Sequence, residues 1–153
     1  MPVTKLESTP STNAQNVQYI IENLEEILSV TLGFNLEYDI ADDDIVETTP
    51  GVILNYDGEV FEESFGEKPM YNEIPFSIML KFKESDPKLI RSRAVTYAHQ
   101  LREGITIDLL NVGALASSQI VSRVEHDPVT LTTSQPILQL DYNVIVRYRE
   151  VSC

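Results

Sequence analysis

Cysteine, tryptophan, histidine and, over half its length, basic residues are what this chain has little of. Its one cysteine, Cys153, is the last residue, and tryptophan is absent. A single thiol excludes an intramolecular disulfide and suits assembly in a reducing cytoplasm. His99 and His126 are the only histidines. Neither sits in an H-x-x-x-H spacing and no C-x-x-C occurs, so a zinc site is not expected. Neither is arranged with a serine or cysteine as a nucleophile's base would be. No G-x-S-x-G, Walker or dinucleotide glycine pattern is present, and the expectation is that the chain is not an enzyme. Runs of about 18 apolar residues are missing too, so no membrane-spanning helix is expected. The opening MPVTKLESTPSTNAQN has no apolar core and does not read as a signal peptide. It reads as a flexible polar arm over residues 1–13, ahead of one domain at 14–153. N-x-[ST] acceptors are absent.

The shortage of bases is local. Residues 1–76 hold 16 of the 24 acidic residues against only Lys5 and Lys68, a net −14, whereas residues 77–153 hold 8 acids and 9 bases, a net +1. An acidic surface of that kind opposes gripping a nucleic-acid backbone but leaves nucleic acid free to pass.

What the chain does have is strong patterning, most of all at its end. From Pro136 to Glu150, Leu138, Leu140, Tyr142, Val144, Val146 and Tyr148 alternate with Gln139, Asp141, Asn143 and Arg147. Two-residue alternation predicts a strand with one buried face. At about 3.3 Å per residue it would run about 45 Å, long enough to suggest extension past its own domain or a sheet continued by other subunits.

The other elements follow in order. Val17, Ile20, Ile21, Leu24, Ile27 and Leu28 recur at helical spacing, with Glu22, Glu25 and Glu26 opposite; Thr12 or Asn13 is the expected cap and Gly33 the stop. Phe34–Ile40 alternates as a strand and leads to the acidic loop Asp42-Asp43-Asp44. Val52–Tyr56 is a strand, and Asp57-Gly58 predicts a hairpin turn into Glu59–Phe61. Residues 62–73 predict a long polar loop or arm. Pro75 opens a strand whose Phe76, Ile78, Leu80 and Phe82 face inward. Ser85-Asp86-Pro87 starts a second helix, ending near Gly104, with Ile90, Ala94, Tyr97, Ala98 and Leu101 as its core stripe. Residues 105–115 predict a short helical turn capped by Thr106, Gln119–Glu125 a strand, and the Thr-rich stretch after it a connection. Runs of strands between helices predict an α+β domain, a mostly antiparallel sheet with two helices on one face.

Two charged features are candidates for function. Lys88, Arg91, Val95, His99 and Arg102 form a second, mostly basic stripe on the second helix. Beside the ordinary reading as a solvated face, it could dock an acidic patch of a neighbouring copy, either the Glu22/Glu25/Glu26 face or the Asp42–Asp44 loop. Asp42, Asp43 and Asp44 with Glu62, Glu63 and Glu67 are candidates for an acidic channel or partner loop. Asp39 and Asp42–Asp44 could also offer oxygens to calcium or magnesium, though without the glycine and terminal glutamate of an EF-hand loop. No cofactor is expected.

Taken together, residues 14–151 resemble the tail terminator (tail completion) proteins of long-tailed bacteriophages. The resemblance rests on the opening amphipathic helix, V-I-L-N-Y-D-G, the acidic arm, P-F-S-I-M-L-K-F-K, D-P-K-L-I-R-S-R-A-V and the closing Q-L-D-Y-N-V-I-V-R-Y-R-E. It implies a non-enzymatic ring, typically a hexamer, that caps the tail tube, ends its elongation and meets the neck or connector proteins, and the last sheath ring in contractile tails. It further implies an acidic lumen through which DNA passes without specific binding, a place at the tail–neck junction of the virion, and assembly in the host cytoplasm. A head-side connector or stopper, a soluble adaptor using residues 62–73, and a metal-dependent regulator or small enzyme using Asp39–Asp44 are the alternatives.

Overall fold

The computed structural model describes residues 11–45, 48–62, 70–134 and 136–151, apart from the side chain of Asp42. In chain order the elements are α1 (Thr12–Glu26), β1 (Asn35–Leu36), β2 (Gly51–Tyr56), β3 (Tyr71–Lys83) and α2 (Pro87–Gly104). Then come α3 (Ile107–Leu110), β4 (Val121–His126), β5 (Thr130–Ser134) and β6 (Ile137–Arg149). The result is an α+β domain whose sheet runs β1-β2-β3-β6-β4, with β5 also on β6. Every strand pair is antiparallel except β1 with β2.

Two 13-residue strands form the centre. β3 and β6 pair over their whole length, from Tyr71 opposite Arg149 to Lys83 opposite Ile137. The inward row predicted for β6 is buried in full, from Leu138 to Tyr148. Fully burying a side chain of this kind stabilises by roughly 1.5–3 kcal/mol, so this double row dominates the core. β6 does not, however, project past its domain. β3 takes one of its edges, and β4 and β5 lie end to end along the other, opposite 144–148 and 137–141. The predicted connection at 130–134 is therefore a strand.

The helices cover one face, packing Val17, Ile20 and Leu24 of α1 and Ile90, Ala94 and Leu101 of α2 into the same core. Tyr97 meets Phe34 and Phe82 edge-on, with ring centroids 5.9 and 5.1 Å apart. Ser11, rather than Thr12 or Asn13, caps α1 by accepting from the Ala14 N–H at 3.1 Å. The Asn13 side chain exchanges two hydrogen bonds with the Val151 backbone. Ser11–Asn13 thus belong to the domain, while residues 1–10 of the expected arm lie outside the described residues. A π-helical turn, Ile27–Thr31, ends the helix before Gly33, whose φ of +74° needs a residue without Cβ. Asp86 caps α2 through the Lys88 N–H at 3.0 Å, and Thr106 caps α3 through Leu109, both as expected.

Two local expectations fail on either side of β2. Beyond β1, Phe34–Ile40 is not a strand: Tyr38 is 85% exposed. Ile40 is buried instead over the start of β2, where a Cβ on Gly51 would stand 3.0 Å from its Cδ1. Asp57-Gly58 is a bulge, not a turn. Tyr56 faces Phe76 and Val60 faces Glu73, so one strand has an extra residue, accommodated by Gly58 at φ +93°. The bulge also explains Pro75, which lies inside β3 instead of opening it. Its carbonyl accepts from Asp57 at 3.1 Å, so its missing N–H faces the irregular part of the ladder.

Candidate functional site

The outer face of α2 carries Lys88, Arg91, His99 and Arg102, all exposed. Leu89 and Val95 share the exposed surface of this helix at 48% and 54% exposure. Not every base of the helix is on this face. Arg93 is held inward, its guanidinium 4.9 Å from the Phe82 ring centroid and donating to the Lys83 carbonyl at 2.7 Å and to Glu84 at 3.2 Å. Glu84 is held below the usual carboxylate range, first by the Asp86 N–H and then by Arg93. Arg93 is thus a structural base and the remaining row is a surface one. His99 has only a loose partner, Glu103 at 3.9 Å.

Of the acidic candidates, the Asp42–Asp44 turn lies by the start of β2, at the β1/β2 edge of the sheet. Ile40 and Ile45, both buried, pin the short 3-10 turn Asp42–Asp44, and Asp39, Asp43 and Asp44 are exposed. Of the α1 row, Glu22 and Glu26 are exposed, and Glu25 accepts from the Tyr38 hydroxyl at 3.3 Å. That bond joins the end of the helical acidic row to the segment leading into the aspartates. Among the described residues, no group of three His, Cys, Asp or Glu side chains is placed to hold a metal ion.

Sequence spacing puts His99 on the second helix and His126 just after the Gln119–Glu125 strand, and does not bring them together. The fold does. They line one cleft of about 210 Å³ with Arg102, Asp127, Val129 and Tyr142, where α2 passes the junction of β4 and β5. Burial, then Arg102, holds His126 below its ordinary value, and burial pushes Tyr142 up to about 12. The Tyr142 hydroxyl and His126 Nδ1 share a hydrogen bond. The cleft is smaller than the roughly 300–1,000 Å³ of small-molecule sites, and its size suits one side chain.

The base of the acidic arm is built more tightly than a loop would be. Asn72, fully buried in the inward row of β3, accepts from the Glu62 N–H at 3.0 Å and donates to Tyr148 at 3.2 Å and Glu150 at 2.7 Å. Glu62, a candidate channel residue, accepts from the Tyr71 N–H at 2.6 Å and so fixes the arm's base. Glu63 and Glu67 lie outside the described residues. Extending the β3 alternation four residues from Phe76 towards the N-terminus, through Ile74, would have placed Asn72 inside.

No protein-family model matches the chain, and no curated protein does. Among solved structures the fold is similar to a chain of the "Virion of native gene transfer agent (GTA) particle", with 10% identity and a TM-score of 0.37, over 92% of this chain and 100% of that one. Likeness at that level carries no functional argument, which rests on the residues.

Proposed function

We propose that the chain is a structural virion protein that assembles into a ring, typically a hexamer, closing the end of a phage tail tube. The observation that carries this reading is the outer face of α2. On a chain of net charge −13 it presents Lys88, Arg91, His99 and Arg102 with Leu89 and Val95 half-exposed. An apolar and basic face on an acidic protein is suited to docking an acidic copy of itself, with charge setting register and partner choice. The described segments of the acidic half offer carboxylates for such a contact and for a lumen that DNA does not adhere to. In this role the ring ends tube elongation and offers its other side to neck or connector proteins, and in a contractile tail also to the sheath. No catalytic group takes part. Sedimentation velocity of the protein alone and with its tail tubes tests the reading. Ring-sized species, or co-sedimentation with tubes at a fixed low ratio, support it; a monomer that ignores tubes at every concentration overturns it in favour of a soluble adaptor.

A further inference from the structure

We propose that the cleft around Arg102 receives the Asp43–Asp44 turn of a second copy of this chain, head to tail. The inference rests on the ring reading and names its contact. Its basis is the placement of two complementary features at opposite edges of one sheet. The cleft lies at the β4/β5 edge, where His126 ends β4 and Tyr142 rises from β6. The acidic turn lies at the β1/β2 edge, anchored by Ile40 over Gly51.

Four strand spacings of about 4.8 Å put the two edges about 19 Å apart. That exceeds the Debye length of about 8 Å at physiological salt, so the turn and the cleft of one subunit do not neutralise each other. A surface and its complement on different sides of a subunit make a heterologous contact, which closes into a ring when the rotation per subunit permits. Two like surfaces would give a dimer instead.

The chemistry of the two sides matches. Arg102 is exposed at the cleft, and Arg91 and Lys88 continue the positive row along α2. The acids beside them are Asp86, which caps the helix at Lys88, Glu103, next to His99, and Asp127, within the cleft. Arg102 offers a planar fork that binds a carboxylate in two-pronged fashion. On the other side, the buried Ile40 and Ile45 hold the turn from both ends, so Asp43 and Asp44 project from a fixed base and little order is lost on docking. An aspartate side chain is short enough for a cleft of about 210 Å³.

Charge reversal with rescue tests this, using the full chain, assembly on tail tubes read by sedimentation, and circular dichroism as a control for folding. Arg102→Glu alone and Asp43→Arg/Asp44→Arg alone should each cut the assembled fraction about tenfold at equal concentration, and the combined variant should recover most of it. If wild type assembles and the single-side variants assemble equally well, this contact is overturned while the ring stands. Loss in both single-side variants without recovery in the combination overturns the pairing of these residues. A wild-type protein that never assembles overturns the ring reading and this contact with it.

Discussion

Tyr148 donates its hydroxyl to Glu59 at 2.5 Å, tying the far end of β6 to the segment that enters the acidic arm. Burial first, then Glu59, raises the Tyr148 phenol above its ordinary range, so it stays a neutral donor. The same hydroxyl accepts from Asn72, whose side chain also reaches Glu62 and Glu150. Tyr148→Phe removes the centre of this network and leaves Asn72 and Glu59 without that partner. The expected loss is about 1–3 kcal/mol, read from urea unfolding. A loss below about 0.5 kcal/mol would mean that water replaces the hydroxyl and the arm base is not held as described.

Val144 is fully buried at the middle of β6, facing Phe76 across the ladder. Val144→Asp places a charge among apolar side chains with no partner, a cost on the order of the whole stability of such a domain. The variant should be unfolded by circular dichroism. A soluble variant with a native spectrum would contradict the assignment of the inner face.

His126 gives the fold a pH dependence whose direction is fixed. Its folded value lies below the ordinary 6.5, so the unfolded chain takes up the proton more readily. The stability contributed by neutral His126 is complete above 6.5 and is lost as pH falls through that value towards the folded one. Unfolding free energy should therefore decline between pH 8 and pH 5.5. His126→Asn, which can still accept from Tyr142, should flatten the decline. Identical pH profiles for the two proteins would remove His126 as its source.

Arg91 lies on the exposed α2 row away from the cleft, and Arg91→Glu changes charge there without touching the core. Self-association should weaken several-fold, and raising salt from 0.05 to about 0.5 M should weaken the wild type in the same direction. Unchanged oligomer mass for this variant would leave the row as solvated surface.

Calcium separates the assembly reading from the metal-dependent alternative. Asp39, Asp43 and Asp44 are exposed, and none belongs to a described group placed for a metal. Millimolar calcium should leave the thermal midpoint unchanged. A rise of several degrees would point to a bound ion and revive the alternative.

The parts of this fold that could be read from sequence are those where side-chain chemistry and backbone periodicity agree. The β6 row, the α2 cap at Asp86 and the short helix behind Thr106 are of that kind. The failures have physical causes. β5 is held by backbone pairing to β6 while all five of its side chains are exposed, so its composition of threonines was the only trace of it. Phe34 and Ile40 alternate like strand residues, yet they are buried separately, one against Tyr97 and the other over Gly51. The cleft joins residues from α2, β4 and β6 that no spacing connects. The basic row itself was visible at helical period; what sequence could not supply was its placement across the sheet from the acidic turn.

Negative-stain electron microscopy of the protein mixed with phage tail tubes decides whether it forms the proposed ring at a tube end. Annular density should cap one end of each tube, with no further growth from capped ends. Bare tube ends beside dispersed monomers would contradict it.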